Sequence, residues 1–203
     1  NKTARLIEWG ITFHLRAVEE AMEQDQKIYL VTQRNVDSED PTQEDLYQMG
    51  IVADIKQVVR LQNDVVRILV DGISRAALLG FTGNEKYLEA EICYCDSNAD
   101  SLPEDLREAM LLGVREAFHR YAAVIGKISK ELIRQIDQYE DLEKLIDYVT
   151  NNLPVSYELK QQVLEAEDIN DRYQVIVSLL LSQVEVISIK NELQKKVKVR
   201  VDK

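Results

Sequence analysis

From Asn170 to Lys203 the sequence contains no proline, no glycine and no cluster of turn-forming residues. Tyr173, Ile176, Leu180, Val184 and Ile187 recur through it at steps of three and four. That spacing puts all five side chains on one face of an α-helix. Globular helices end well before about 25 residues, so a longer uncapped pattern is expected of a coiled coil or of an arm between domains. Beyond Ile187 the stripe thins to Leu193, Val197 and Val201 among Lys195, Lys196, Lys198 and Arg200. The first half is therefore predicted to pack on a helical bundle, and residues 188–203 to protrude. The missing initiator methionine and the open helical end are both expected of a piece of a longer chain.

Ahead of this helix the sequence changes character near Asp96. Residues 1–97 read mostly as strands and residues 98–187 as helices, the order expected of an α+β chain. Lys27–Thr32 is β-branched and aromatic, a good strand. Gly50–Leu61 and Val65–Gly72 flank Asn63-Asp64, a pair suited to a type I′ hairpin turn. Val66, Ile68 and Val70 alternate with Arg67 and Asp71, so one face is buried and one wet. Lys86–Tyr94 supplies another strand, and Leu15–Met22 a short helix. Short strands joined by tight turns predict a small, curled, mostly antiparallel sheet.

In the helical part, Ser101 with Glu104 three residues later has the capping-box pattern, with Pro103 in the first turn. An apolar row at Tyr121, Ile125, Ile128, Leu132 and Ile136 extends that helix as far as Ile136. Leu142–Val149 forms the next, ended by Asn152-Leu153-Pro154. Ser156 caps Tyr157–Ala166, and the last helix starts at Asp168–Asp171. Short connections predict antiparallel neighbours in a bundle.

The composition narrows function more than the motifs do. Thirty-six acidic against 25 basic residues give a formal charge of −11. That balance argues against nucleic-acid binding, where Lys and Arg neutralise phosphates, and against an anionic membrane surface. No apolar run approaches the roughly 18 residues of a membrane span. Cys93 and Cys95 are the only cysteines. At i, i+2 on a strand they make a poor disulfide and half of a zinc site at best. Unpaired thiols suit a reducing compartment, so a cytoplasmic protein is expected.

No catalytic constellation is visible. Gly83–Lys86 lacks the glycine and Lys-Ser/Thr spacing of a phosphate loop. Ser129 lies between Lys127 and Lys130, but neighbouring helical side chains point apart and nothing there lowers a lysine pKa. His119 reads as a surface histidine with no evident acid partner. The acidic run Val36–Asp45 carries five carboxylates, yet it lacks the spacing and central glycine of a calcium loop and reads as a solvated segment.

Seven runs in order do resemble a known family. They are Arg16–Met22, Lys27–Gln33, Gly50–Val58, Arg67–Ala76, Lys127–Leu132, Asn151–Lys160 and Ile187–Lys198. Together they resemble the amino-terminal region of bacterial Lon, the ATP-dependent serine protease. Residues 1–15, which include Trp9 and Phe13, do not fit the apolar strands with which that family begins. The resemblance implies a PUA-like β barrel, a helical bundle, and an arm leading to an AAA+ module. Lon's ATPase and Ser–Lys peptidase residues map to no position here, so no catalytic, cofactor-binding or metal residue is expected in this chain. The whole protease would use ATP and magnesium. Implied partners are unfolded or misfolded proteins and, in the parent, hexamer mates. A reader of unfolded chains needs exposed apolar surface or free strand edges. Leu78, Leu79 and Phe81 are the candidate substrate contacts, and closing the barrel is their plainer role. Two other readings stand beside this one: a free-standing PUA-like domain that binds nucleic acid or a nucleotide, and a structural arm that dimerises through the last helix.

Overall fold

The computed structural model describes residues 2–7, 13–35, 41–61, 66–83, 85–95 and 98–201. Trp9, the Asn63-Asp64 turn and residues 36–40 of the acidic run lie outside the described residues. The chain divides into two compact units, Asn1–Asp96 and Ser97–Lys203.

The first unit contains β1 (Lys2–Ile7), α1 (Phe13–Glu23), β2 (Lys27–Leu30), β3 (Met49–Arg60), β4 (Val66–Phe81) and β5 (Glu89–Tyr94). The strands close into a barrel in chain order. The pair β1–β2 is parallel and every other neighbouring pair is antiparallel. The closing strand β1 comes from residues 1–15, the segment that fits none of the family runs.

β4 differs from its expected form. It is one strand of 16 residues, twice the predicted length. Its pairing slips at Val52/Ala53, where Ile73 is the extra residue, and at Leu78/Gly80, where Leu79 is. Each bulge bends the strand so that it can follow the barrel wall, and each breaks the alternation on which sequence patterning depends.

Tyr29, Val52, Ala76, Leu78, Ala90 and Ile92 fill the barrel. The Tyr29 hydroxyl donates to Ala76 O at 2.9 Å inside this core. Burial pushes its pKa up from the ordinary value near 10. A raised folded-state pKa stabilises the neutral form, so this contribution is complete below pH 10 and is lost as pH rises through the raised value. Tyr29→Phe is expected to cost about 1 kcal/mol at neutral pH. It should also flatten the alkaline loss of stability, as read by urea unfolding at pH 7 and pH 11.

The second unit is helical: α2 (Glu104–Ile125), α3 (Lys130–Gln138), α4 (Leu142–Asn152), α5 (Tyr157–Glu165) and α6 (Ile169–Val201). The expected capping box does not form. Pro103 takes the N-cap position, and the Ser101 hydroxyl donates to Asn98 O in the preceding turn. The expected continuous helix to Ile136 is also interrupted. Gly126, at φ 65°, ends α2 in the left-handed conformation that glycine adopts without a Cβ clash. Ser129 then caps α3, its hydroxyl accepting from Leu132 N–H at 3.1 Å. Ser129→Ala should cost about 1 kcal/mol, with faster amide exchange confined to the first turn of α3.

Val114, Phe118, Leu145, Val149, Ile176 and Leu180 are fully buried where the helices meet. Burying such side chains contributes roughly 1.5–3 kcal/mol each. Arg172 is buried among them at 1% exposure. Its guanidinium donates to Glu143 and Asp147 of α4 and to Val163 O of α5. One side chain on α6 thereby ties three helices together.

Over Ile169–Val197, α6 is long and apolar enough, by length and composition alone, to cross a membrane. That departs from the expectation that no stretch approaches one. The bundle takes up part of that apolar surface: Ile169, Ile176, Leu179 and Leu180 are buried in it, and Tyr173, Val184 and Ile187 pack against it, while Val186, Ile189, Leu193 and Val197 stay exposed. From Ile189 to Val197 every residue is exposed.

Candidate functional site

The three candidate contact residues take different positions in β4. Leu78 faces inward, opposite Ile92, and is 7% exposed. Leu79 is the bulged residue, which turns it outward to 44% exposure. Phe81 pairs with Ala90 and packs against the barrel core, half-buried. Leu79 alone of the three is freely presented. The bulge is the reason, and sequence alternation carries no sign of it.

A groove of about 400 Å³ adjoins the bulge. Arg34, Gln43, Leu46 and Tyr47 line it, and Leu78 lies at its floor. The Arg34 guanidinium sits over the Tyr47 ring at 4.5 Å and donates to Leu46 O. Gln43 donates to Leu79 O at 3.2 Å, linking the groove wall to the bulge. Asp45 accepts from both the backbone N–H and the hydroxyl of Thr42, which lowers its pKa from the ordinary carboxylate value. The groove combines an aromatic face, a cation and amide groups. Its lining brings together no nucleophile and base.

Lys27 donates to Asp54 at 2.8 Å, and Lys56 lies between Asp54 and Asp71 on the outer face. The Lys27 hydrogen bond holds the Asp54 pKa down. His119 is exposed as expected, but it does have an acid partner, Asp137 of α3, at 2.7 Å. The partner is 18 residues away and is reached only because Gly126 turns the chain back. Cys93 is exposed, and Cys95 Sγ lies 3.7 Å from Met49 Sδ. Among the described residues no three His, Cys, Asp or Glu side chains are placed to hold a metal ion.

A small closed β barrel and a helical bundle with a long final helix define the fold class, and comparison with known proteins narrows it. The chain belongs to the family of ATP-dependent protease La (LON) substrate-binding domains, whose model matches residues 11–182. It is 36% identical to Lon protease of Lachnoclostridium phytofermentans over 93% of this chain and 23% of that protein. Lon protease of Clostridioides difficile is 30% identical over 96% of this chain and 25% of its own length. The chain thus spans about a quarter of the curated relatives it matches. The matched part is the substrate-binding domain and not the part that performs proteolysis. The fold is shared with the N-terminal domain of Mycobacterium avium complex Lon protease, with TM-score 0.70, 17% identity, and coverage of 88% of this chain and 98% of that one. A Lon N-terminal domain protein from Xanthomonas campestris gives TM-score 0.57 at 10% identity, with the same coverages.

Proposed function

We propose that this chain is the part of a cytoplasmic Lon-type protease that takes hold of unfolded or damaged proteins and supports assembly of the parent into a hexamer. The match of a substrate-binding family to residues 11–182 carries this reading. The exposed apolar residues of the barrel wall, Leu79, Leu69 and Ile73, support it, because unfolded chains are recognised through apolar contact. The Leu79 bulge with Phe81 and the adjoining groove is the proposed contact. Leu78 contributes from beneath as the groove floor. In the parent, ATP with magnesium would serve a separate AAA+ module, and residues 188–203 would begin the arm toward it. The test is binding to reduced, carboxymethylated lactalbumin, followed by fluorescence anisotropy. Binding to the unfolded protein and not to native lactalbumin is expected, and Leu79→Asp should weaken it. Casein cleavage by this chain without ATP would overturn the reading.

A further inference from the structure

β2 is short, and its four residues cover β3 only from Ile51 to Asp54. Beyond that point β3 keeps β4 on one side, as far as Arg60 opposite Val66. Among the described residues no strand lies on its other side. One backbone bond crosses there, from Ile55 N–H to Gln26 O at 2.8 Å. From Lys56 to Arg60 the outer edge of β3 carries no pairing strand among the described residues, a template for a further strand.

A helix stands beside this edge. Val18 and Ala21 of α1 pack with Ala53 and Ile55, and half-buried Val58, Ile68 and Val70 pack against that cluster. Between α1 and β3 lies an open groove of about 460 Å³. Its apolar lining is Leu15, Val18, Met22 and Val58, and its charged rim is Glu19, Glu23 and Arg60. Met22 is 40% exposed, a large apolar side chain left at the surface. A helix flanking an open strand edge is the arrangement in which an extended peptide adds to a sheet. The backbone supplies the affinity, and alternate side chains enter the helix-side pocket. Arg60 is already bonded to Glu19, while Glu23 is exposed at the rim. With a chain charge of −11, this rim favours basic residues and repels acidic ones.

We propose that the α1–β3 groove captures an extended apolar segment of an unfolded polypeptide as an added strand alongside Lys56–Arg60, favouring segments that carry lysine or arginine. This rests on the substrate-binding reading above and assigns it a second contact, separate from the Leu79 bulge. Five residues of open edge accommodate a bound stretch of about 17 Å.

The experiment uses fluorescence anisotropy with two fluorescein-labelled peptides, one alternating valine and lysine and one alternating valine and glutamate. Carboxymethylated lactalbumin is the unfolded-protein control. The valine–lysine peptide is expected to bind about tenfold more tightly than its acidic counterpart, and Met22→Asp and Glu23→Lys should each weaken it about tenfold. Leu112→Asp, on the exposed side of α2, should change nothing. Amide exchange of residues 56–60 should slow in the peptide complex. Loss of lactalbumin binding in Leu79→Asp, with full binding in Met22→Asp and Glu23→Lys, overturns the groove and leaves the substrate-binding reading standing. Failure of the wild-type chain to bind lactalbumin overturns both. A wild-type dimer that Met22→Asp converts to monomer, with neither peptide bound, makes a second copy the occupant and overturns the proposal.

Discussion

Gly50→Ala is expected to destabilise the barrel by about 3 kcal/mol, the upper end of the usual overpacking cost. A Cβ at this position would lie 2.3 Å from Leu30 O and 2.7 Å from the Tyr29 ring. The first neighbour is backbone, so a rotamer change cannot relieve it. The second is a buried aromatic held by its bond to Ala76 O. Gly50 and Ala76 are opposite each other in the β3–β4 register, and both are small where the Tyr29 ring passes. Urea unfolding followed by hydrogen exchange will separate the units. Amides of β2, β3 and β4 should lose protection while those of α2 and α6 keep theirs. A loss under about 1 kcal/mol would mean that the barrel wall yields far more readily than close-packed interiors do.

The second large effect is expected in the bundle. Arg172→Ala should cost about 3 kcal/mol by removing a buried partner of two carboxylates and one carbonyl. Part of that loss is packing, since the aliphatic stem is buried with the charge. Glu143 and Asp147 remain partly solvated, at 30% and 54% side-chain exposure, so the carboxylates left behind are not stranded. That keeps the expected cost at the lower end for a broken buried pair. Arg172→Lys should recover less than half of it, because an ammonium cannot reproduce the planar fork that reaches α4 and α5 together. Equal stability of the lysine variant and wild type would show that the charge matters and the fork does not.

How legible these features are in the sequence follows from their range. α6 is legible because its stripe is local and uninterrupted, and the change from buried to exposed near Ile187 follows the change in composition. The β3–β4 pairing is legible from alternation at Val66, Ile68 and Val70. The remainder of β4 is not, because the bulges at Ile73 and Leu79 shift the inward set by one residue each. The helix break at Gly126 hides behind an apolar row that continues across it at helical spacing. Ser101 and Glu104 satisfy a capping pattern that Pro103 preempts by taking the cap position itself. The candidate contacts are legible as an apolar run, but which of Leu78, Leu79 and Phe81 faces outward depends on pairing with β5. The α1–β3 groove is illegible for a different reason: it exists because β2 ends early, and a strand's length relative to its neighbour is not written in either strand alone.

The Arg172 clamp sits near the start of a helix of 33 residues, about 50 Å long at the α-helical rise. From Ile189 to Val197 every side chain of that helix is exposed to solvent. Such a rod is a lever with its fulcrum in the bundle. A sideways push on its exposed stretch is borne where α6 packs against α2, α4 and α5. With no glycine or proline along its length, the rod has no built-in hinge to absorb the motion.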